Sequence, residues 1–447
     1  MTRKCGDLAN DSVLAKVPFK RIRVTGGDQS LLNSENATLI HLVLLQRSKS
    51  IFSRKLKVKG TFVVTLLFQS TSLPKWVDKI SHSICPGFHA LSTRSVMIIA
   101  NPFSGNGRSK RVLKLIRKVL QNCPQLNHEI LVTKGKDHAL EIVRDKIDCK
   151  SVAAVITIGG DGIVHETVNG FMQRAVRVED DLSFGFLAGG TSNAQATNLY
   201  GICSEIEQLA VILRGRTTMM DLLHVTQSVS ASSESSSAVK VDIGDPVSIY
   251  SHVAVMWGLI SDTDFMTDSY RWMGNELKKI FCFLRLVWRL KRYRGKVRDL
   301  QSNELLNKSP QNPSLPSEII NLFVLNSAFI ASDLQNDAET SSFDGVLTVQ
   351  LTEYHPAFKR WSLIKMLLDN SAPLSVVGAD CIKTFRGLSR IVIEPSLEEK
   401  KAAEGEGTQV SYASKDYCLN IDGEKLPLYD RTEISIVPGV LRVFVQN

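Results

Sequence analysis

From Ser95 the chain alternates short apolar runs with stretches whose apolar residues recur at helical spacing. Val96-Met97-Ile98-Ile99-Ala100, Ile130-Leu131-Val132-Thr133, Val155-Ile156-Thr157-Ile158 and Phe184-Gly185-Phe186-Leu187 read as buried strands, rich in residues that fit a pleated surface. Between them, Val112, Ile116 and Leu120, then Ala139, Leu140, Val143 and Ile147, then Val164, Val168, Phe171 and Met172 predict helices. Strands separated by helices call for right-handed crossovers and a parallel sheet. Beyond Asp221 the pattern turns to strands, at 252–258, 319–325, 346–351, 387–394, 417–421, 433–437 and 440–445, with helices expected over 267–292 and 361–368. The predicted fold class is α/β plus β, a parallel-sheet domain at 94–216 followed by an antiparallel β-sandwich at 217–447. Polar segments near 228–237, 302–317 and 398–409 read as flexible inserts. Residues 1–93 form a β-rich appendage, with strands at 38–45 and 61–68, a basic connection between them and a helix carrying Trp76, Ile80 and Ile84. A truncated pleckstrin-like module and an extra layer on the next domain fit that pattern equally.

Three polar, glycine-bearing loops follow predicted strands: 101–107, 159–162 and 189–193. Ligands of parallel sheets bind beyond the carboxyl ends of the strands. Gly159-Gly160-Asp161-Gly162 leads from a strand into a helix, where free N–H groups and the positive dipole end favour phosphate. Asp161 is out of place there unless Mg²⁺ stands between it and the phosphates or it faces a substrate hydroxyl. An ordinary turn with an exposed Asp explains that tetrapeptide alone as well; three such loops together are harder to explain as turn chemistry.

Composition adds a charge argument. Lys+Arg number 54 against 45 Asp+Glu, a net +9, which suits a nucleotide, a nucleic acid or the inner face of a membrane. The 8 cysteines are scattered without paired spacing, so neither zinc nor a disulfide framework is indicated and a reducing cytosol is expected. No apolar run reaches transmembrane length.

Five blocks, in order, resemble the diacylglycerol-kinase-type lipid kinases, and within them the sphingosine (long-chain base) kinases. They are Asn101-Pro102 with Ser104-Gly105-Asn106-Gly107; Gly159-Gly160-Asp161-Gly162 running to His165-Glu166 and Asn169-Gly170; Gly190-Thr191-Ser192-Asn193; Trp257-Gly258-Leu259-Ile260-Ser261-Asp262-Thr263-Asp264 with Tyr270-Arg271-Trp272-Met273-Gly274; and Asp422-Gly423-Glu424. The resemblance implies an active site in the cleft between the two domains. It implies that Asn101, Ser104, Gly105, Gly107, Thr133, Gly159, Gly160, Gly162, Thr191 and Asn193 hold ATP, that Arg271 reaches its phosphates and that Glu424 closes the site. It makes Asp161 the catalytic residue that deprotonates or orients a lipid hydroxyl, and Asp264 the acid that holds the lipid's amine. Mg²⁺ would bind mainly through the ATP phosphates, with Glu166 ordering the loop or a water around it. The implied substrate is a sphingoid base (sphingosine, sphinganine or phytosphingosine), drawn by a cytoplasmic, peripheral enzyme from an anionic membrane, with no nucleic acid involved.

Physical chemistry agrees with the amine assignment. Burying an ammonium with its tail requires a carboxylate partner, whereas ceramide and diacylglycerol need none. The plain alternative is that Asp264 starts a helix, with Thr267 as a rival N-cap. Ceramide or diacylglycerol kinases and a weakly catalytic lipid-binding relative are the competing functions; NAD kinases share the Gly-Gly-Asp-Gly turn but lack the Asp264 block. Two positions depart from the family pattern. Asn106 stands where many sphingosine kinases have Lys, with Arg108 and Lys110 nearby, and Leu277 stands where they have a second phosphate-binding Arg, beside Lys278 and Lys279. His165 and Glu166 fall on the polar side of their helix, and His165 reads as a satisfied structural residue rather than a metal ligand. A helix at 275–290 combines Leu277, Ile280, Phe281, Leu284 and Val287 with a basic margin, which fits a core helix or part of a lipid gate.

Overall fold

A computed structural model describes residues 37–48, 57–69, 94–121, 126–174, 182–228, 247–269, 281–282, 284, 291–309, 312–354, 382–396 and 418–446. In the appendage, β1 (Ala37–Ser48) and β2 (Lys57–Gln69) pair as an antiparallel hairpin. The helix predicted around Trp76 lies outside the described residues, as do 229–246, the predicted helix at 361–368 and the loop at 398–409.

The parallel part is built as the periodicity predicts. Strands β3 (Ser95–Ala100), β4 (His128–Val132), β5 (Val152–Gly159) and β6 (Ser183–Ala188) stand in the order β6-β5-β3-β4, all neighbours parallel. Helix α1 (Arg108–Gln121) buries Val112, Leu113, Ile116 and Leu120. The second predicted helix is short, α2 (His138–Glu141), and runs into a wide turn through Lys146. Helix α3 (Asp161–Met172) follows the Gly-Gly-Asp-Gly turn, and α4 (Ala194–Tyr200) and α5 (Glu205–Arg214) follow β6. A Ser204–Glu207 capping box starts α5 and satisfies its first N–H groups reciprocally.

The second half adds β7 (Thr217–Ser228), β8 (Val247–Ser251), β9 (Ala254–Gly258), α6 (Leu259–Ser269), β10 (Gly295–Asp299) and β11 (Ile319–Leu325). A small hairpin of β12 (Phe329–Ala331) and β13 (Leu334–Gln335) follows, then β14 (Leu347–Glu353), β15 (Ile382–Leu388), β16 (Arg390–Pro395), β17 (Cys418–Ile421), β18 (Glu424–Pro427) and β19 (Arg431–Phe444). Six of these form one sheet in the order β15-β14-β11-β9-β17-β18. Apart from the β12–β13 hairpin, the others do not form a sheet of their own. β19 pairs with β7 along one edge; along the other it pairs first with β16 and finally, in parallel, with β6. One nine-stranded sheet therefore runs from the parallel domain into the second half. The sandwich core lies between that extension and the six-stranded sheet: Leu223, Val225, Ile391, Ile393 and Ile434 face Val255, Trp257, Leu322, Val324 and Val349. Each such side chain contributes about 1.5–3 kcal/mol on burial.

Four expectations need correction. The strands predicted at 433–437 and 440–445 are one strand, kinked by a bulge between Val437 and Leu441 where Asp221 accepts the Gly439 N–H at 2.7 Å. The strand predicted at 387–394 is two, β15 and β16. The expected flexible insert at 302–317 is ordered through its described residues: Asn307 is fully buried and bonds the Val297 N–H and the Gly295 and Ser317 carbonyls. The helix predicted from Thr267 begins at Leu259, immediately after Gly258 (φ 125°), with Asn321 Oδ1 accepting the Ile260 N–H at 2.9 Å.

Candidate active site

All three polar loops meet at the carboxyl ends of β3, β5 and β6, backbone against backbone. Asn101 accepts the Phe103 N–H at 3.0 Å, and a tight turn follows in which Gly105 (φ 61°), Asn106 (φ 51°) and Gly107 (φ 86°) are left-handed. A Cβ on Gly105 would lie 2.3 Å from the Gly189 carbonyl oxygen, and one on Gly190 would lie 2.3 Å from Gly160 Cα. No other residue fits those two places. Gly107 is different: a Cβ there would meet nothing within 4 Å, and one on Gly162 would meet Glu424 Oε1 alone, at 3.8 Å. The open space lies where the α3 N-terminus presents its unpaired N–H groups.

The predicted nucleotide residues divide accordingly. Gly160, Gly162, Thr191 and Glu424 line a cavity of about 300 Å³, together with Asp161 and Asp264. Asn101, Ser104, Gly105, Gly107 and Gly159 build the loops around it. Thr133 is buried at the end of β4, its N–H on the Ala100 carbonyl. Asn193 turns inward: it accepts the Gly190 N–H at 2.8 Å and donates to the Gly190 carbonyl at 2.9 Å. Its amide closes its own loop instead of facing the cavity. Arg271, Leu277, Lys278 and Lys279 lie outside the described residues.

Asp161 opens α3 and reaches across to α4. Its two carboxylate oxygens accept the Ala194 and Gln195 N–H groups, each at 3.0 Å. Burial pushes this carboxyl above its ordinary range and the charge of Asp422 adds to the push, while His252 and the two N–H groups pull the other way. A carboxylate so placed is held in one orientation and has its basicity raised.

Sequence reasoning missed the group that joins the halves. Asp422, in the left-handed turn after β17 (φ 53°), has a fully buried side chain that accepts five hydrogen bonds. They come from His165 Nδ1 (3.0 Å), Ser251 Oγ (2.7 Å) and the N–H groups of His252, Val253 and Ala254 (3.0, 2.9 and 3.1 Å). The neighbouring histidines and these donors hold its carboxyl far below the usual carboxylate range despite burial. His165 is thus satisfied and structural, as expected, but it is buried rather than on a polar face. Its helix has two partners, the sheet and the second half, so a one-sided helical pattern could not place it. The motif Asp422-Gly423-Glu424 was legible; that its first residue is the anchor was not.

Glu166 is also half-buried. It accepts the Ala139 N–H at 3.0 Å and so ties α3 to the start of α2, ordering the loop there. Arg108 cannot replace the missing loop Lys in this arrangement, because it pairs with Glu205 at 2.7 Å. Among the described residues, Lys136 brings a cation to the site, bonding Glu424 Oε2 at 2.8 Å above Gly162. Asp264 lies in the interior of α6, exposed and facing the cavity, with Asn420 Nδ2 donating to it at 3.1 Å. The reading that it starts a helix with Thr267 as rival cap does not hold, since α6 starts five residues earlier. Among the described residues no three His, Cys, Asp or Glu side chains converge into a metal cage. The open glycine cradle fits nucleotide phosphates, and a divalent ion fits as their companion.

Fold and site suit a kinase, with glycine loops in the first half and a carboxylate-bearing second half around one cavity. Residues 95–225 match the family model of the diacylglycerol kinase catalytic domain. The chain is similar to sphingosine kinase 1 of Arabidopsis thaliana, 23% identical over 411 residues, 83% of this chain and 78% of that one. It is also similar to sphingoid long chain base kinase 4 of Schizosaccharomyces pombe, 26% identical over 309 residues, 62% and 63% of the two chains. The fold matches a Bacillus anthracis str. Sterne crystal structure assigned as a diacylglycerol kinase, with TM-score 0.51 at 17% identity over 79% of this chain and 95% of that one.

Proposed function

We propose that the chain transfers the terminal phosphoryl group of ATP to the primary hydroxyl of a sphingoid long-chain base. The observation that carries this reading is the lining of the cavity: Asp161, Asp264, Asp422 and Glu424 line it and, among the described residues, no Lys or Arg does. Such a lining suits a cationic substrate and a metal-bearing nucleotide, because a buried ammonium needs a carboxylate partner. In this reading the loop glycines and the α3 N-terminus hold the phosphates, and Mg²⁺ bound to those phosphates would neutralise their charge. Asp161 orients or deprotonates the attacking hydroxyl from its fixed position against α4. Asp264, steadied by Asn420, holds the ammonium. Lys136 and Glu424 close over Gly162.

Membrane access belongs to the same proposal: a cytoplasmic protein taking its lipid from an anionic bilayer. In support, α1 carries Lys110, Arg111, Lys114, Arg117 and Lys118 with no acidic residue, and Phe281 and Leu284 are exposed. No described helix is long and apolar enough to cross a membrane. Purified protein incubated with labelled ATP, Mg²⁺ and a lipid panel tests the reading. Sphingosine or phytosphingosine should be labelled first; labelling of ceramide or diacylglycerol alone would transfer the assignment to those lipids, and labelling of none would leave a lipid-binding relative.

A further inference from the structure

His252 precedes the apolar run of β9 and is fully buried, yet none of the steps above uses it. Its Nδ1 lies 2.9 Å from Gln195 Oε1. The Gln195 amide nitrogen donates to Met220 Sδ at 3.1 Å, which turns the amide oxygen toward the ring and makes Nδ1 the hydrogen-bearing partner. Nε2 has no hydrogen-bond partner and stands 3.6 Å from Asp422 Oδ2. A lone pair aimed at a carboxylate across that gap is repelled, and a nitrogen carrying hydrogen is attracted. Gln195 also donates its backbone N–H to Asp161, so one residue touches both the imidazole and the carboxylate assigned to catalysis. The titratable groups around the ring are Asp161 from α3, Asp422 from the turn after β17 and, beyond Asp422, His165 from α3. The polar groups are Gln195 from α4, Ser251 from β8 and Asn326, which donates to the His252 carbonyl.

We propose that His252 is a positioning residue for phosphoryl transfer: with hydrogen on both ring nitrogens, it bridges Gln195 and Asp422 and holds the second half against the Asp161 carboxylate. Its positive ring offsets two buried carboxylates at once and fixes the residue whose N–H aims Asp161. The activity arm of the test rests on the kinase reading; the spectroscopic arm does not.

In ¹⁵N-histidine spectra of the full chain, both His252 ring nitrogens should be protonated at pH 7. His252→Gln identifies the signal by removing it. Gln195→Met, which takes away the Nδ1 acceptor and leaves the ring in place, should move it. A neutral-tautomer signature at pH 7 overturns the proposal whether or not any lipid is phosphorylated. In the transfer assay, His252→Gln should lower kcat about tenfold or more with both KM values within about twofold. The acid limb of its kcat profile should move to higher pH, because Asp161 loses the neighbour that pulls its carboxyl down. A uniform loss across pH that tracks a lowered Tm would make His252 a packing residue and overturn the proposal. A folded wild type that phosphorylates no lipid removes the kinase reading and leaves the spectral result to decide the role of His252.

Discussion

The two halves of the site are built from different materials. On the first half the ligand surface is backbone: Gly105 against Gly189, Gly160 against Gly190, and open space beyond Gly107 and Gly162. On the second half it is side chain, and one of them, Asp422, binds five donors from two segments. Backbone cradles are rigid and indifferent to pH, whereas a buried carboxylate is a titratable joint. The two aspartates also shift in opposite directions. Asp161 sits above its ordinary range, so its contribution to folding is fullest below the unfolded value near 3.9 and is lost as pH rises through the folded one. Asp422 sits below its ordinary range, so its contribution is present above about 3.9 and lost as pH falls toward the folded value. The half that carries Asp161 thus stores a cost at neutral pH, and the joint acts in the opposite direction.

The sharpest break in this comparison is Asp161→Asn. The change is nearly isosteric and the glycine stack does not depend on it, so nucleotide binding should persist. The Asn amide cannot accept a proton, and transfer should fall by about 10²–10⁴, roughly 3–5 kcal/mol of barrier. Nucleotide titration beside a transfer assay checks both halves of the statement; retained transfer in a folded variant would remove Asp161 from catalysis.

Asp422→Asn should come next, and should act on stability first. Its amide nitrogen would face donors, leaving buried partners unpaired at a cost of about 3–5 kcal/mol. Denaturant melts across pH distinguish the joint from a generic core defect. Wild type should lose stability as pH drops below about 4, and the variant should lack that component of the slope. Parallel curves would mean that the Asp422 charge contributes nothing to holding the halves together.

This contrast also explains what could be read from the sequence. β5, its glycine turn and α3 were legible because burial there is apolar and the turn needs glycine, both visible as residue types. Asn307, His165, His252 and Asp422 were not. Each is a polar residue that is buried because it satisfies other groups: Asn307 the carbonyl of Gly295, His165 the carboxylate of Asp422. Hydropathy periodicity registers such residues as surface, and so it turned the ordered segment around Asn307 into a flexible insert. β19 was divided for a related reason, since Pro438-Gly439 marks a turn in isolation and a bulge when Asp221 is there to bind it. Glu424 and Asp264 were found through the motifs around them; Lys136 had no motif to mark it.

Asp264→Asn tests whether the second half selects charge. If Asp264 holds an ammonium, the variant should raise KM for the sphingoid base tenfold or more, about 1.4 kcal/mol or above. ATP KM should not move. An uncharged N-acylated analogue should hardly notice the change. Measuring both lipids on both proteins cancels general damage, and equal losses on the two would make Asp264 a structural residue of α6.

Lys136→Ala should be the smallest effect and the finest probe of how the halves close. The hydrogen bond to Glu424 and its charge raise the Lys136 pKa, but the lysine side chain is 71% exposed and Glu424 34%. A pair so exposed contributes about 0–1 kcal/mol, so the melting curve should barely change. Closure over Gly162 should loosen instead, with ATP KM rising a few-fold, lipid KM constant and the effect fading at high salt as screening replaces the missing charge. Glu424→Gln should give the same salt-dependent part, because each variant removes the same attraction. The double variant should then be no worse in that part than either single one. Additive, salt-insensitive losses would mean that Lys136 and Glu424 act on the nucleotide separately, and that backbone cradle and side-chain lid close without this contact.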